Sequence, residues 1–159
     1  MDELLKILKK NALESPDAIA RMLNLPVEAV KAKIAEYEKT GVIRGYQAIV
    51  DEDQLDLDLV TAVIEVKVTP EREGGFNRVA SRISRFHEVQ SVYLMSGAFD
   101  LLLFVAGRDL KEVALFVSEK LATIEGVTST ATHFMLKTYK HHGVLMEASV
   151  EDDRLQVSP

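Results

Sequence analysis

Few side chains in this sequence can do covalent or metal chemistry. It has no cysteine, so neither a disulfide framework nor a thiolate metal site exists. Its four histidines are His87, His133, His141 and His142. His141 and His142 are adjacent, which on a strand turns them to opposite faces, and no carboxylate at ligand spacing accompanies them. No metal ligand set is expected. There is no Walker phosphate loop and no G-x-S-x-G nucleophile elbow. Gly74-Gly75 reads as a turn at a helix start, and Glu71 and Glu73 as solvated loop carboxylates. What remains is binding chemistry. Its clearest bearers are Lys31 and Lys33 in PVEAVKAKIAE (26–36), whose ammonium groups can neutralise phosphate, and Glu28, which can accept from cytosine or favour a helix N-terminus.

The elements that would position these groups are legible around them. Asp2 can cap a first helix carrying Leu4, Leu5, Ile7, Leu8 and Ala12. Ser15 is a good N-cap and Pro16 suits the first position of a second helix, which buries Ile19, Ala20 and Leu23. Asn24 falls at a tight turn. Pro26 opens a third helix with Val30, Ile34 and Tyr37 on one face, ended by Gly41. VIRGYQAIV (42–50) follows as a β-type segment broken by Gly45. Three helices, a tight turn and a strand make a winged helix-turn-helix pattern, whose third helix enters the major groove. The candidate DNA-binding residues are therefore Val27, Glu28, Lys31, Ala32 and Lys33, with Arg44 in the wing region. A three-helix structural module is the alternative. The reading surface has no Arg, Asn or Gln for bidentate base contacts, which predicts reliance on dimers and DNA shape.

The net charge of −6 hides an asymmetry: residues 1–50 carry +1 and the rest −7. Electrostatics alone do not point to nucleic acid. The composition, 47% hydrophobic and 28% charged, is that of an ordinary globular protein. No apolar run approaches the ~20 residues of a membrane span, and MDELLKILKKN lacks a signal-peptide core. A cytoplasmic protein without membrane association is the expectation.

DEDQLDLD (51–58) is acidic and separates two regions. Beyond it VTAVIEVKVT alternates as a strand that Pro70 stops. Residues 76–86 have helical spacing, 89–97 and 99–107 read as strands, and 110–124 as a helix. Asp109 and Glu112 there resemble a capping pair. Residues 127–140 read as a long last strand. The order β-α-β-β-α-β is the ferredoxin-like plan, with the first and third strands central. The fold class is α+β. Four stretches follow: a winged helix-turn-helix at 1–50, a linker at 51–59, a ferredoxin-like domain at 60–142, and an extension with an acidic tail at 143–159. Helices cover one face of such a sheet, so a second subunit is expected on the other, making an obligate dimer.

This arrangement resembles the leucine-responsive regulatory protein/AsnC family of bacterial and archaeal transcriptional regulators. The stretches that carry the resemblance are KTGVIRGYQAIVD (39–51), HEVQSVYLMSGAFDLLLFV (87–105) and IEGVTSTATHFMLKTYK (124–140). Gly97-Ala98-Phe99-Asp100 is similar to the family's turn between the second and third strands. The resemblance implies binding of double-stranded DNA by the first domain. It also implies homodimers assembling into higher oligomers, and response to an amino acid or related effector, with no other cofactor and no enzymatic activity. The implied effector residues are Met95, Ser96, Gly97, Phe99 and Asp100 of the turn, with Thr130 and Thr132 of the last strand. Asp100 can pair with the ammonium of a zwitterion, and Gly97 allows close backbone approach. A turn in which Asp100 bonds its own backbone is the structural alternative. Replacing Asp100 with alanine is expected to remove the ligand response and spare the dimer.

The sequence departs from the family's pattern in three places: no glycine in the linker around Leu55-Asp56-Leu57, few polar residues on the third helix, and the tail EASVEDDRLQVSP. The weak reading surface motivates a second reading, a small-molecule-sensing and oligomerising module with weak or lost DNA binding. An enzyme related to siroheme decarboxylases is set aside, because the acidic second region lacks a basic, histidine-rich pocket.

Overall fold

The structure, a computed structural model, describes residues 1–55, 57–69 and 76–146. The expected stop at Pro70, Glu71 and Glu73, Gly74-Gly75 and the acidic tail from residue 147 lie outside the described residues. The chain forms two compact units, Met1–Val50 and Asp51–Pro159.

The first unit is built on capped helices. Asp2 caps α1 (Glu3–Lys10) by accepting from the Leu4 N–H at 2.8 Å. Ser15 caps α2 (Pro16–Leu23) by accepting from the Ala18 N–H at 3.1 Å. Each cap satisfies a donor that the helix cannot. Asn24 ends α2 with φ 52°, and Gly41 ends α3 (Val27–Thr40) with φ 73°. Leu4, Leu8, Ile19, Ala20 and Val30 form the buried core, with Ile34 and Tyr37 packed against it.

The expected wing strand is not formed. Residues 42–50 carry no strand, and Val42, Tyr46 and Val50 are exposed. A strand needs a neighbour to take its N–H and C=O groups. Alternating β-type residues cannot supply one, and the unit contains no second strand to pair with.

The second unit holds a four-stranded antiparallel sheet in the order β2-β3-β1-β4, where β1 is Val60–Val68, β2 Val89–Leu94, β3 Leu101–Gly107 and β4 Val127–Phe134. The two central strands are β3 and β1. Ile64 lies opposite Leu103 on one side and Thr132 on the other. Residues directly opposite share a face, so Ala62, Ile64 and Val66 of β1 line up with Leu101, Leu103 and Val105 of β3. All six are fully buried, under α4 (Asn77–Ile83) and α5 (Leu110–Leu115) through Val79, Ile83 and Val113. The other face carries Val63, Leu102 and Phe104, half-buried within one chain. Tyr93 stacks edge-on against Phe104 there, with ring centroids 6.1 Å apart.

Two expected elements are shorter than their sequence patterns. The last strand ends at Phe134 rather than 140. The Met135 N–H still donates to the Thr61 carbonyl at 2.9 Å, but β1 begins at Val60 and its pairing partners run out. The chain then turns back as a separate hairpin, β5 (Lys140–His141) with β6 (Val144–Leu145). The second helix of the unit is α-helical only to Leu115 and continues as a π-turn over Phe116–Leu121, marked by the Ala122 N–H reaching back to the Val117 carbonyl. Its start does carry the expected cap: Asp109 accepts from the Glu112 N–H at 2.7 Å. Glu112 in turn accepts from the Arg108 N–H, which holds its carboxyl below the usual range.

The π-turn presents Lys120 to Glu88, the one buried charged residue among those described. Burial works to raise the Glu88 pKa and is the largest single influence, but the Lys120 hydrogen bond, the backbone N–H of Glu88 and the nearby His87 together outweigh it, and the carboxyl is held below its ordinary value. Its second oxygen accepts no hydrogen bond, with His87 Nδ1 at 3.3 Å. A carboxylate with a depressed folded pKa stabilises the fold at neutral pH, and that contribution is lost as pH falls. Urea denaturation between about pH 6 and pH 3 should therefore show falling stability of the second unit, with a flatter acid limb and a lower neutral plateau in Glu88→Gln.

Candidate functional site

On α3 the two candidate phosphate contacts are already engaged. Lys31 donates to Glu28 at 2.9 Å, one helical turn earlier, and this pair raises its pKa. Lys33 donates to Asp2 at 2.5 Å, and the same contact depresses Asp2 and raises Lys33. Asp2 thus both caps α1 and ties it to α3. Glu28 and Ala32 are exposed on the helix surface, and Val27 is half-buried and packs on the core. Arg44 is exposed, with its guanidinium folded back against Gly41. The wing segment is held to α3 by the Tyr46 hydroxyl, which donates to Glu38 at 2.9 Å. The Lys33–Asp2 pair leaves no signal in composition or spacing, because its partners are 31 residues apart.

In the second unit the β2–β3 turn assembles Met95, Ser96, Gly97, Phe99 and Asp100. The Met95 N–H donates to the Asp100 carbonyl at 2.8 Å and closes it. Gly97 has φ 134°, a conformation that side-chain-bearing residues rarely adopt, while nothing lies within 4 Å of a Cβ built there. Glycine is therefore required by the backbone and leaves its outer side open. Met95 and Ser96 are exposed, and Phe99 and Asp100 half-buried.

Asp100 has a structural task as well. Its N–H donates to the Val66 carbonyl at 3.0 Å, and its carboxylate accepts from the Val68 N–H at 2.8 Å. That donor lies past the last β1–β3 pair, Val66 with Leu101, where β3 supplies no further partner. Asp100 so satisfies a group that the sheet leaves free. Thr130 lies opposite Val66, and Thr132 opposite Ile64, both on β4. β1 thus separates the threonines from the turn by roughly two strand spacings, about 10 Å. A single copy brings the five turn residues together and leaves the two threonines across the sheet.

The matches to known proteins follow this division. Residues 61–145 match the Lrp/AsnC ligand binding domain. The chain belongs to the Lrp/AsnC family. The HTH-type transcriptional regulator YugG of Bacillus subtilis is 49% identical over 158 residues, covering 99% of this chain and 95% of the relative. The HTH-type transcriptional regulator LrpA of Pyrococcus horikoshii is 30% identical over 86% of this chain and 94% of its own. Among solved structures, an AsnC family transcriptional regulator from Agrobacterium tumefaciens superposes with a TM-score of 0.67 at 26% identity, covering 89% of this chain and 94% of its own. A Neisseria meningitidis regulator in complex with L-Met shares the fold, with a TM-score of 0.69 at 23% identity over 89% and 93% of the two chains. These two relatives are HTH-type transcriptional regulators by name. The family domain covers the sheet and the hairpin and leaves the three N-terminal helices outside the match. No described helix is long and apolar enough to cross a membrane.

The Val68 contact sharpens the expectation for Asp100. Alanine leaves that N–H without its acceptor and should cost roughly 1–3 kcal/mol of stability. Asparagine keeps an acceptor oxygen and removes the charge. Chemical denaturation should place Asp100→Asn close to the parent chain and Asp100→Ala well below it.

Proposed function

We propose that this Lrp/AsnC protein is a sequence-specific DNA-binding transcriptional regulator whose DNA binding and assembly respond to an amino acid or related small effector. The observation that carries the reading is the union, in one chain, of a tightly turned α2–α3 pair with an Lrp/AsnC ligand-binding domain. α3 docks on a half-site, with Glu28, Lys31, Ala32, Lys33 and, from the following segment, Arg44 nearest the DNA. The half-buried row of Val63, Leu102 and Phe104, with exposed Tyr93, suits a second copy's sheet and so a dimer.

The effector reading rests on the β2–β3 turn. One Asp100 oxygen is taken by Val68, and the other is available to an ammonium group, as the two lone-pair-rich oxygens of a carboxylate permit. Backbone N–H groups beside Gly97 suit a carboxylate. Thr130 and Thr132 lie too far across the sheet to close the site alone, so the pocket is completed where copies meet. Effector binding then alters how many α3 helices reach DNA together, and avidity amplifies the change. The L-Met complex of the Neisseria relative supports this ligand class.

The ion pairs on Lys31 and Lys33 favour one rival, a sensing and assembly module with weak DNA binding. Fluorescence anisotropy on the chain's own upstream DNA, at two salt concentrations and with and without pooled amino acids, separates the two. Tight, salt-sensitive binding that shifts with the pool is expected, and binding no stronger than to random DNA favours the module. Glu28→Gln offers a second check. Freed from its partner, Lys31 should tighten binding several-fold and steepen the salt dependence by about one phosphate contact; an unchanged slope would place Lys31 away from the DNA.

A further inference from the structure

The first unit leaves an arginine uncommitted beside the start of α3. On α2, Arg21 follows Asp17 by four residues, and Asn24 comes three later, so the three lie in one row. Ile19 and Ala20 are buried in the core, and the row itself is exposed. The chain then turns sharply. Asn24 has φ 52°, and the Leu25 N–H donates to the Ala20 carbonyl at 3.0 Å. This turn brings the row against the first residues of α3. Asp17, Arg21 and Asn24 line a concave surface of about 580 Å³ together with Pro26 and Val27.

The charges around this recess are not equally engaged. Lys31 is held by Glu28 at 2.9 Å, and Asp17 is near enough to add to the rise in its pKa. Among the described residues Arg21 forms no ion pair and its guanidinium donates no hydrogen bond, although Asp17 stands one turn before it. A cation in the last turn of a helix gains from the helix dipole wherever that helix lies. The place of this one is what matters. A recognition helix meets base edges through its N-terminal residues. There α3 offers Val27, Glu28, Ala29 and Lys31, none with a forked donor. Arg21 brings such a fork to the same place from the neighbouring helix. Its geometry matches O6 and N7 of guanine in the major groove. Phosphate is the poorer partner. Asp17 and Glu28 offset Arg21 and Lys31, which leaves the recess no net charge to hold a phosphate backbone. Carboxylates, by contrast, can accept from the amino groups of bases.

We propose that Arg21 of α2 is a specificity-determining residue that reads one guanine in each half-site on which α3 docks. The inference rests on the regulator reading and names the side chain that tells one sequence from another.

The test uses the full chain, its own upstream DNA, and duplexes in which each base pair of the footprinted stretch is changed in turn. Affinities are read by fluorescence anisotropy. Arg21→Lys keeps the charge and removes the fork. It should bind the upstream DNA about tenfold more weakly than the parent. It should also lose discrimination at one G·C pair of each half-site, keep it at the other positions, and leave the salt slope unchanged. Arg21 is exposed, so an unchanged thermal melt checks folding. Equal affinity and equal discrimination in the parent and Arg21→Lys would overturn the inference and leave the regulator reading intact. So would a loss in Arg21→Ala that is uniform across the duplexes, lowers the salt slope by about one and is restored by lysine, since that pattern marks a phosphate contact. A parent chain that prefers none of the duplexes to random DNA would fail the regulator reading itself, and this inference with it.

Discussion

The second unit depends on the burial of β1. This strand is hydrogen-bonded on both sides, to β3 and β4, and its Ala62, Ile64 and Val66 meet the helices with no exposure. Every group of interest is placed by reference to it. Asp100 bonds its Val66 and Val68, and Thr130 and Thr132 lie against it from β4. Because burial on one face is nearly complete and the other face is only half covered, the unit is a stable support with an unfinished surface.

The parts of this arrangement that local chemistry decides are legible in the sequence. Asp2, Ser15, Asn24 and Gly41 mark helix ends because capping and left-handed backbone are properties of single residues and their nearest neighbours. The alternation in 60–68 and the doubly apolar run near 101–106 mark the central strands, since burial on one or two faces imprints directly on residue type. The β2–β3 turn is legible through the family resemblance, and its residues do come together.

What the sequence hides is what depends on partners distant in the chain. The wing segment has strand-forming residues but no strand beside it. β4 has strand-forming residues to position 140, yet β1 ends their pairing at Phe134. Lys33 reads as a solvated cation until folding brings Asp2 beside it. Asp100 reads as a ligand group, and it carries a second duty to the β1 backbone that only the register reveals. Pairing over long separations leaves no periodic trace, so residue type alone does not separate these cases.

The π-turn in the second helix has a consequence for how the unit tolerates change in length. A π-turn amounts to one residue more than an α-helix would hold over the same rise. Deleting a single residue within Phe116–Leu121 would return the helix to α geometry with little net rotation between its two ends, because the wide turn spreads one more residue over nearly the same angle. Val113 and Phe116 before it, and Leu121 and Ile124 after it, would keep their places in the core. A second deletion would find no extra residue to remove: it would rotate the far half by about 100° and carry Lys120 away from the buried Glu88.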